Sequence, residues 1–262
     1  GIGNTILAVP MLRGLRRNFP KARIDLLVGL KSSADIMDGC PYINKIHFLN
    51  KNIQKGFLTN IKTIAKLRKE RYDVSVMTIP SAQVHYDILA AAIGARKRIT
   101  HDHKGVLVGL QNYRIPLKII HDVEQNVNLL THFGIKAINL ELKLWLSAEE
   151  KKFAGKFVGN FKEKYLIGFH PGTSVERGMV EKRWPLENFA EVAEYILRKD
   201  RESRILIFLG PEELNLEKIT NLVDSDVKER IIVVKGLDIR KTAAVIGRCN
   251  LFITNDSGLM HI

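Results

Sequence analysis

Short runs of branched apolar residues alternate along this chain with amphipathic stretches of helical period. That alternation restricts the fold to parallel strands joined by helical crossovers, an α/β protein. A turn at 1–4 opens a helix with Ile6, Leu7, Val9, Leu12 and Leu15 on its buried side. Strands are predicted over 24–28, 45–49 and 73–78, with helices over 57–69, 86–93 and 122–133, the last two closed by Gly94 and Gly134. Glu141 to Leu146 changes the register, and Ser147 with Glu150 resembles a capping box. A second series follows: strand 165–170, helix 189–198, strand 205–209, a helix from about 214, strand 231–234, helix 239–247 and strand 251–254. The boundary falls near 145–162, giving two Rossmann-like domains, 1–150 and 151–262. Facing one another, they would bury a ligand in a central cleft between strand ends. A turn such as that at 1–4 normally follows a strand, so a first strand is expected before Gly1.

The charge is uneven. Of a formal net +13, residues 1–150 carry 22 Lys and Arg against 12 Asp and Glu, a net +10. The first half should therefore meet something anionic: nucleic acid, a lipid surface or a phosphorylated glycolipid. No recognition helix, aromatic-studded basic sheet or zinc module accompanies that charge, which argues against nucleic acid. The basic stretch 51–71 suits either an anionic membrane surface or the solvated face of an ordinary helix. Cys40 and Cys249 fit no metal or redox spacing, and a reducing cytoplasm is the expected home. No apolar run approaches the roughly 20 residues needed to cross a bilayer.

The chemistry gathers at strand ends of the second half. His170-Pro171-Gly172-Thr173-Ser174 offers a close backbone approach and hydroxyl donors. Lys182-Arg183-Trp184-Pro185 follows, and Lys182 can place a point charge on a phosphate. The alternative is a basic surface loop with Trp184 as a packing anchor. Gly210-Pro211-Glu212-Glu213 puts a carboxylate where ribose hydroxyls bind in such sheets, or merely an acid favourable to a helix N-terminus. The strand 251–254 stops at Asn255-Asp256-Ser257-Gly258, and a helix should begin near Ser257, with His261 in its first turn. Such a junction holds a phosphate or is an ordinary cap. Together these ends outline a nucleotide-diphosphate site. Gly1-Ile2-Gly3-Asn4-Thr5 lacks the third glycine of a dinucleotide fingerprint. His101-Asp102-His103 has no third ligand at a metal spacing and reads as a polar loop. His85, His121 and His132 carry no usable signal.

In this order these residues resemble glycosyltransferase family 9, the bacterial heptosyltransferases of lipopolysaccharide core assembly. Residues 1–10, Phe19 to Asp25, Arg71-Tyr72-Asp73 and Gly94 to Ile99 match its recurrent stretches. His170-Pro171-Gly172, Lys182 to Pro185, Gly210-Pro211-Glu212 and Asn255 to His261 are its more specific signatures. The resemblance implies a GT-B architecture with acceptor on the first domain and nucleotide-sugar donor on the second, continued by C-terminal helices beyond Ile262. It implies metal-independent, inverting transfer, typically of heptose from ADP-heptose, with no cofactor, onto an anionic glycolipid at the inner leaflet of the inner membrane. Carried over by position, Thr173, Ser174 and Lys182 hold the diphosphate, Glu212 the ribose and Leu237 the adenine. Asp256, Ser257, Gly258 and His261 contact sugar and phosphates.

One departure matters: Asn4 stands where the family carries an Asp expected to be the general base. An amide cannot accept the acceptor's proton, and losing such a base normally removes roughly two to four orders of magnitude in rate. Three accounts of Asn4 stand open: another carboxylate serves, the acceptor differs, or this branch is weakly active. The alternative functions are a transferase or epimerase using another nucleotide-sugar, such as a UDP-sugar, and a catalytically weak donor-binding homologue.

Overall fold

The computed structural model describes every residue except 51–52, 79–83, 104, 137–138, 160 and 174–178; at 53–55, 179–180 and 212 it describes backbone alone. The chain divides into two compact units, Gly1–Trp145 and Leu146–Ile262.

The first unit opens with α1 (Ile2–Ile6) and α2 (Val9–Asn18) rather than one continuous helix. Pro10, at the second position of α2, has no N–H and crowds the carbonyl four residues back, so the helix breaks at Leu7 and Ala8. Strand β1 (Asp25–Val28), α3 (Lys31–Ile36) and β2 (Lys45–Phe48) follow, the two strands pairing in parallel. Next come α4 (Ile53–Lys69), β3 (Val74–Val76), α5 (Val84–Ile93), β4 (Lys97–Asp102), β5 (Tyr113–Pro116) and α6 (Asp122–Asn128). A parallel sheet runs β3-β4-β5. Buried Arg13 is satisfied by the Asn139 and Glu141 carbonyls at 3.0 and 2.8 Å, which ties α2 to the chain before the unit ends.

Three sequence readings are corrected here. His101-Asp102-His103 is not a polar loop, because His101 and Asp102 belong to β4. Ile99, Thr100 and His101 are all buried, so both faces of the strand are covered, and Asp102 emerges at its end beside Arg114, 3.6 Å away. Burial pushes the His101 pKa down, favouring the neutral ring. His103, also buried, accepts the Gly105 N–H at Nδ1, and its Nε2 lies 3.5 Å from the fully buried Asp87. His121 does carry a role: its imidazole accepts the Val123 N–H and caps α6. Finally, the helix read over 122–133 tightens to a 3-10 turn from Leu129 to Phe133, closed by Gly134 at φ 69°.

The second unit begins with α7 (Ala148–Val158), whose cap is reciprocal: Ser147 Oγ accepts the Glu150 N–H, and Glu150 accepts the Ser147 N–H. It continues through β6 (Tyr165–His170), α8 (Leu186–Lys199), β7 (Ser203–Phe208), α9 (Ser225–Lys228), β8 (Ile231–Val234), α10 (Ile239–Ile246) and β9 (Leu251–Thr254). The strands form one parallel sheet in the order β8-β7-β6-β9. Strand β7 is buried on both faces, which is why it reads as an unbroken apolar run. Ile205 and Ile207 join Phe169, Phe189 and Leu197 in one core. Leu206 and Phe208 join Val234 and Val245 in the other. Each such side chain contributes roughly 1.5–3 kcal/mol by burial. At Gly168 a Cβ would come within 2.3 Å of the Phe252 ring, so glycine is what lets β9 lie against β6.

Two predicted α-helices are 3-10 instead. From Pro211 to Asn221 the chain turns every three residues, and buried Glu213, Leu216 and Ile219 share one side at that period. Past β9, Leu259–His261 forms a three-residue 3-10 turn where a helix from Ser257 was predicted. No described helix is long and apolar enough to cross a membrane.

Candidate functional site

The second unit's sheet delivers three chain segments past the carboxyl ends of β6, β7 and β9. Beyond β6, His170 is buried and donates from Nδ1 to the Phe208 carbonyl at 2.9 Å. A carbonyl only accepts, so Nδ1 carries a proton, and Nε2 faces Glu213 Oε1 at 3.7 Å. Beyond β7, the Glu213 carboxylate accepts the Gly210 N–H at 2.8 Å, the bond expected of an acid at a helical start. The same carboxylate lies against Gly172: a Cβ there would be 1.9 Å from Glu213 Oε1. Glu213 is thus a buried carboxylate at this strand end. The side chain of Glu212, read as the ribose ligand, lies outside the described residues, as does Ser174.

Asn255, immediately after β9, is the hub. Its backbone N–H donates to the His170 carbonyl at 3.2 Å. Its Nδ2 donates to the Pro171 carbonyl at 2.8 Å, and its Oδ1 accepts the Trp184 N–H at 3.1 Å. One buried carboxamide thus pins the β6 loop, the segment carrying Lys182 and the β9 turn together. Arg183 adds a second clamp, donating to the Thr173 hydroxyl and carbonyl, both at 3.0 Å. The Trp184 ring packs edge-on against Phe189, with centroids 5.0 Å apart, so it is a packing anchor.

These clamps leave Lys182 and Asp256 on the surface, 3.5 Å apart and each about half exposed. Such a pair is weak, and a phosphate can displace the carboxylate from the ammonium. The Thr254 hydroxyl donates to the Asn255 carbonyl at 2.8 Å and lies 3.4 Å from Ser257 Oγ, which holds Ser257 at the strand end. Gly258 and His261 continue this turn, both half-buried. Leu237 is half-buried ahead of α10, packed on the Val234 core. Asn4 lies exposed on α1, in the first unit.

Of the residues picked out by sequence, the structure brings together Thr173, Lys182, Asp256 and Ser257 through Asn255 and Arg183. Sequence reasoning assigned no role to Glu213, Asn255 or Arg183, though all three stand inside the quoted motifs. Their signal was adjacency to a motif residue, and side-chain direction is not written in adjacency.

Two α/β units with parallel sheets, one presenting a lysine, carboxylates and a glycine turn at neighbouring strand ends, fit a glycosyltransferase of GT-B architecture. The model of glycosyltransferase family 9 (heptosyltransferase) matches residues 61–262, and the chain belongs to that family. It is similar to lipooligosaccharide heptosyltransferase 2 of Campylobacter jejuni, with 28% identity over 269 residues, covering 100% of this chain and 74% of the relative. Among solved structures it is similar to a family 9 glycosyl transferase from Veillonella parvula, at 27% identity and TM-score 0.82, covering 100% of this chain and 74% of that one. The fold is shared with the E. coli ADP-heptose LPS heptosyltransferase II, at 21% identity and TM-score 0.77, covering 99% and 78%.

Proposed function

We propose that this glycosyltransferase moves heptose from ADP-heptose onto a lipopolysaccharide core acceptor, with inversion and without a metal or cofactor. The second unit is read as the donor domain and the basic first unit as the acceptor domain, working at the cytoplasmic face of the inner membrane. The names of its relatives support the sugar and the acceptor class. The observation that carries the donor reading is the convergence on Asn255, which keeps Lys182, Asp256 and the Gly172 loop at one edge of the sheet.

In this reading the diphosphate lies along Gly172, Thr173 and Ser174, with the Lys182 ammonium on its oxygens, and Glu213 or Glu212 takes the ribose. Asp256, Ser257, Gly258 and His261 meet the sugar and phosphates, and Leu237 packs on the adenine. The acceptor hydroxyl oxygen bonds to the anomeric carbon as the carbon–oxygen bond to the diphosphate breaks. ADP leaves with the bonding pair, and the hydroxyl proton passes to a base. Lys182 opposes the charge that grows on the departing oxygen, the kind of contact whose loss costs about 10²–10³ in turnover.

Asn4 stands where a base is expected, exposed on α1, and it favours one second reading: a donor-binding homologue of low turnover. Incubation with ADP-heptose and purified core acceptor, followed by mass spectrometry, separates the two. A heptosylated product supports transfer; bound donor with no product supports the second reading.

A further inference from the structure

Helix α4 carries an apolar stripe that nothing among the described residues covers. Phe57, Leu58 and Ile61 are 56%, 71% and 48% exposed, while Leu67 on the opposite side is buried. At about 100° per residue, Phe57, Ile61, Ala65 and Leu58 fall within roughly one quarter of the helix circumference. Lys62, Lys66 and Lys69, all exposed, border that stripe, and α4 has no acidic residue over Ile53–Lys69. Arg68 donates to the Ala92 carbonyl at 2.8 Å and fixes α4 on α5. The neighbouring α5 also exposes Val84 and Ile88, one turn apart. Scattered apolar side chains are ordinary on a surface, but an aligned set bordered by cations is an interaction site.

We propose that this face of α4 seats the first unit on an anionic lipid surface. The apolar stripe enters the boundary between headgroups and acyl chains, and the lysines beside it meet the lipid phosphates. The absence of any acidic side chain from the helix selects the occupant, since a neutral apolar partner gains nothing from the flanking cations. The assignment deepens the reading of a membrane-bound acceptor, yet lipid binding requires neither donor nor turnover, so either can fail alone.

The test is co-sedimentation of the whole chain with vesicles of phosphatidylcholine alone and of phosphatidylcholine mixed with phosphatidylglycerol. Binding is expected only to the mixed vesicles and should weaken with added salt. Phe57→Ser with Leu58→Ser and Ile61→Ser should lower partitioning about tenfold or more, as should Lys62→Ser with Lys66→Ser and Lys69→Ser. Leu58→Ser alone, changing the most exposed of the three, should reduce binding with an unaltered melting curve. Failure of the unmodified chain to bind mixed vesicles, equal binding to both vesicle types, or full binding by both triple variants overturns the proposal. So does a dimer in light scattering that the apolar triple variant dissociates, because the stripe would then join two copies.

Discussion

The Asn255 carboxamide reaches the Pro171 carbonyl at 2.8 Å, joining the turn after β9 to the loop after β6. Its other end accepts from Trp184, two residues beyond Lys182. Asn255→Ala removes both bonds and leaves the buried Pro171 carbonyl unpaired, which should cost about 1–3 kcal/mol of stability, while the part-buried Trp184 N–H can turn to water. If the residue positions Lys182, donor KM should also rise at a temperature where the variant is fully folded. Asn255→Asp keeps the acceptor for Trp184 but sets a second acceptor against the buried Pro171 carbonyl, so its stability loss should match or exceed that of Asn255→Ala. A lowered melting temperature with donor KM unchanged would make the residue structural only.

Gly172 has no room for a methyl group beside Glu213. Gly172→Ala must displace that carboxylate or the loop. Nucleotide affinity should fall about tenfold or more, the scale expected when a binding group is moved by an ångström. Isothermal titration with ADP checks it, and unchanged affinity would remove Gly172 and Glu213 from the donor site.

Acid should loosen the second unit. Arg240 holds Glu150 by hydrogen bonds of 2.5 and 2.9 Å, and Arg204 holds Glu163 at 2.7 and 2.8 Å. Both carboxyl pKa values lie below the ordinary value, chiefly because of those arginine bonds. A depressed carboxyl contributes stability that is complete above its unfolded pKa of about 4.3 and is lost as pH falls through the folded value. Melting temperature should decline below that point, and Glu150→Gln or Glu163→Gln should flatten the decline while costing about 1 kcal/mol at neutral pH. Identical acid limbs in wild type and variants would refute the assignment.

Cys249 should be a poor nucleophile. Burial pushes its thiol up to about 12, leaving little thiolate at neutral pH. Iodoacetamide labelling of the native chain should be far slower at Cys249 than after denaturation, and equal rates would contradict this.

Much of the second unit was legible because its strands are apolar on both faces and its glycine turns punctuate them, as in Ile205–Phe208 followed by Gly210. The first unit hid more. Strand β4 carries Lys97, Arg98, Thr100, His101 and Asp102, so its order comes from pairing with β3 and β5 on either side, information absent from the local pattern. The 3-10 course after Pro211 was legible in principle, since Glu213, Leu216 and Ile219 repeat every three residues. At the strand ends, residue types supplied the expectation of a phosphate and sugar site. That Glu213 turns inward follows from its close approach to Gly172, and no spacing rule encodes that.

The central claim is that the second unit binds ADP-heptose through Lys182. Its most direct test is calorimetric titration of the purified chain and of Lys182→Ala with ADP-heptose, with UDP-glucose as control. The account predicts selective binding of ADP-heptose by the unmodified chain and at least about tenfold weaker binding by the variant, the scale of a charge-assisted phosphate contact. Equal affinity for both nucleotide-sugars, or a Lys182→Ala isotherm matching the unmodified chain, would contradict it.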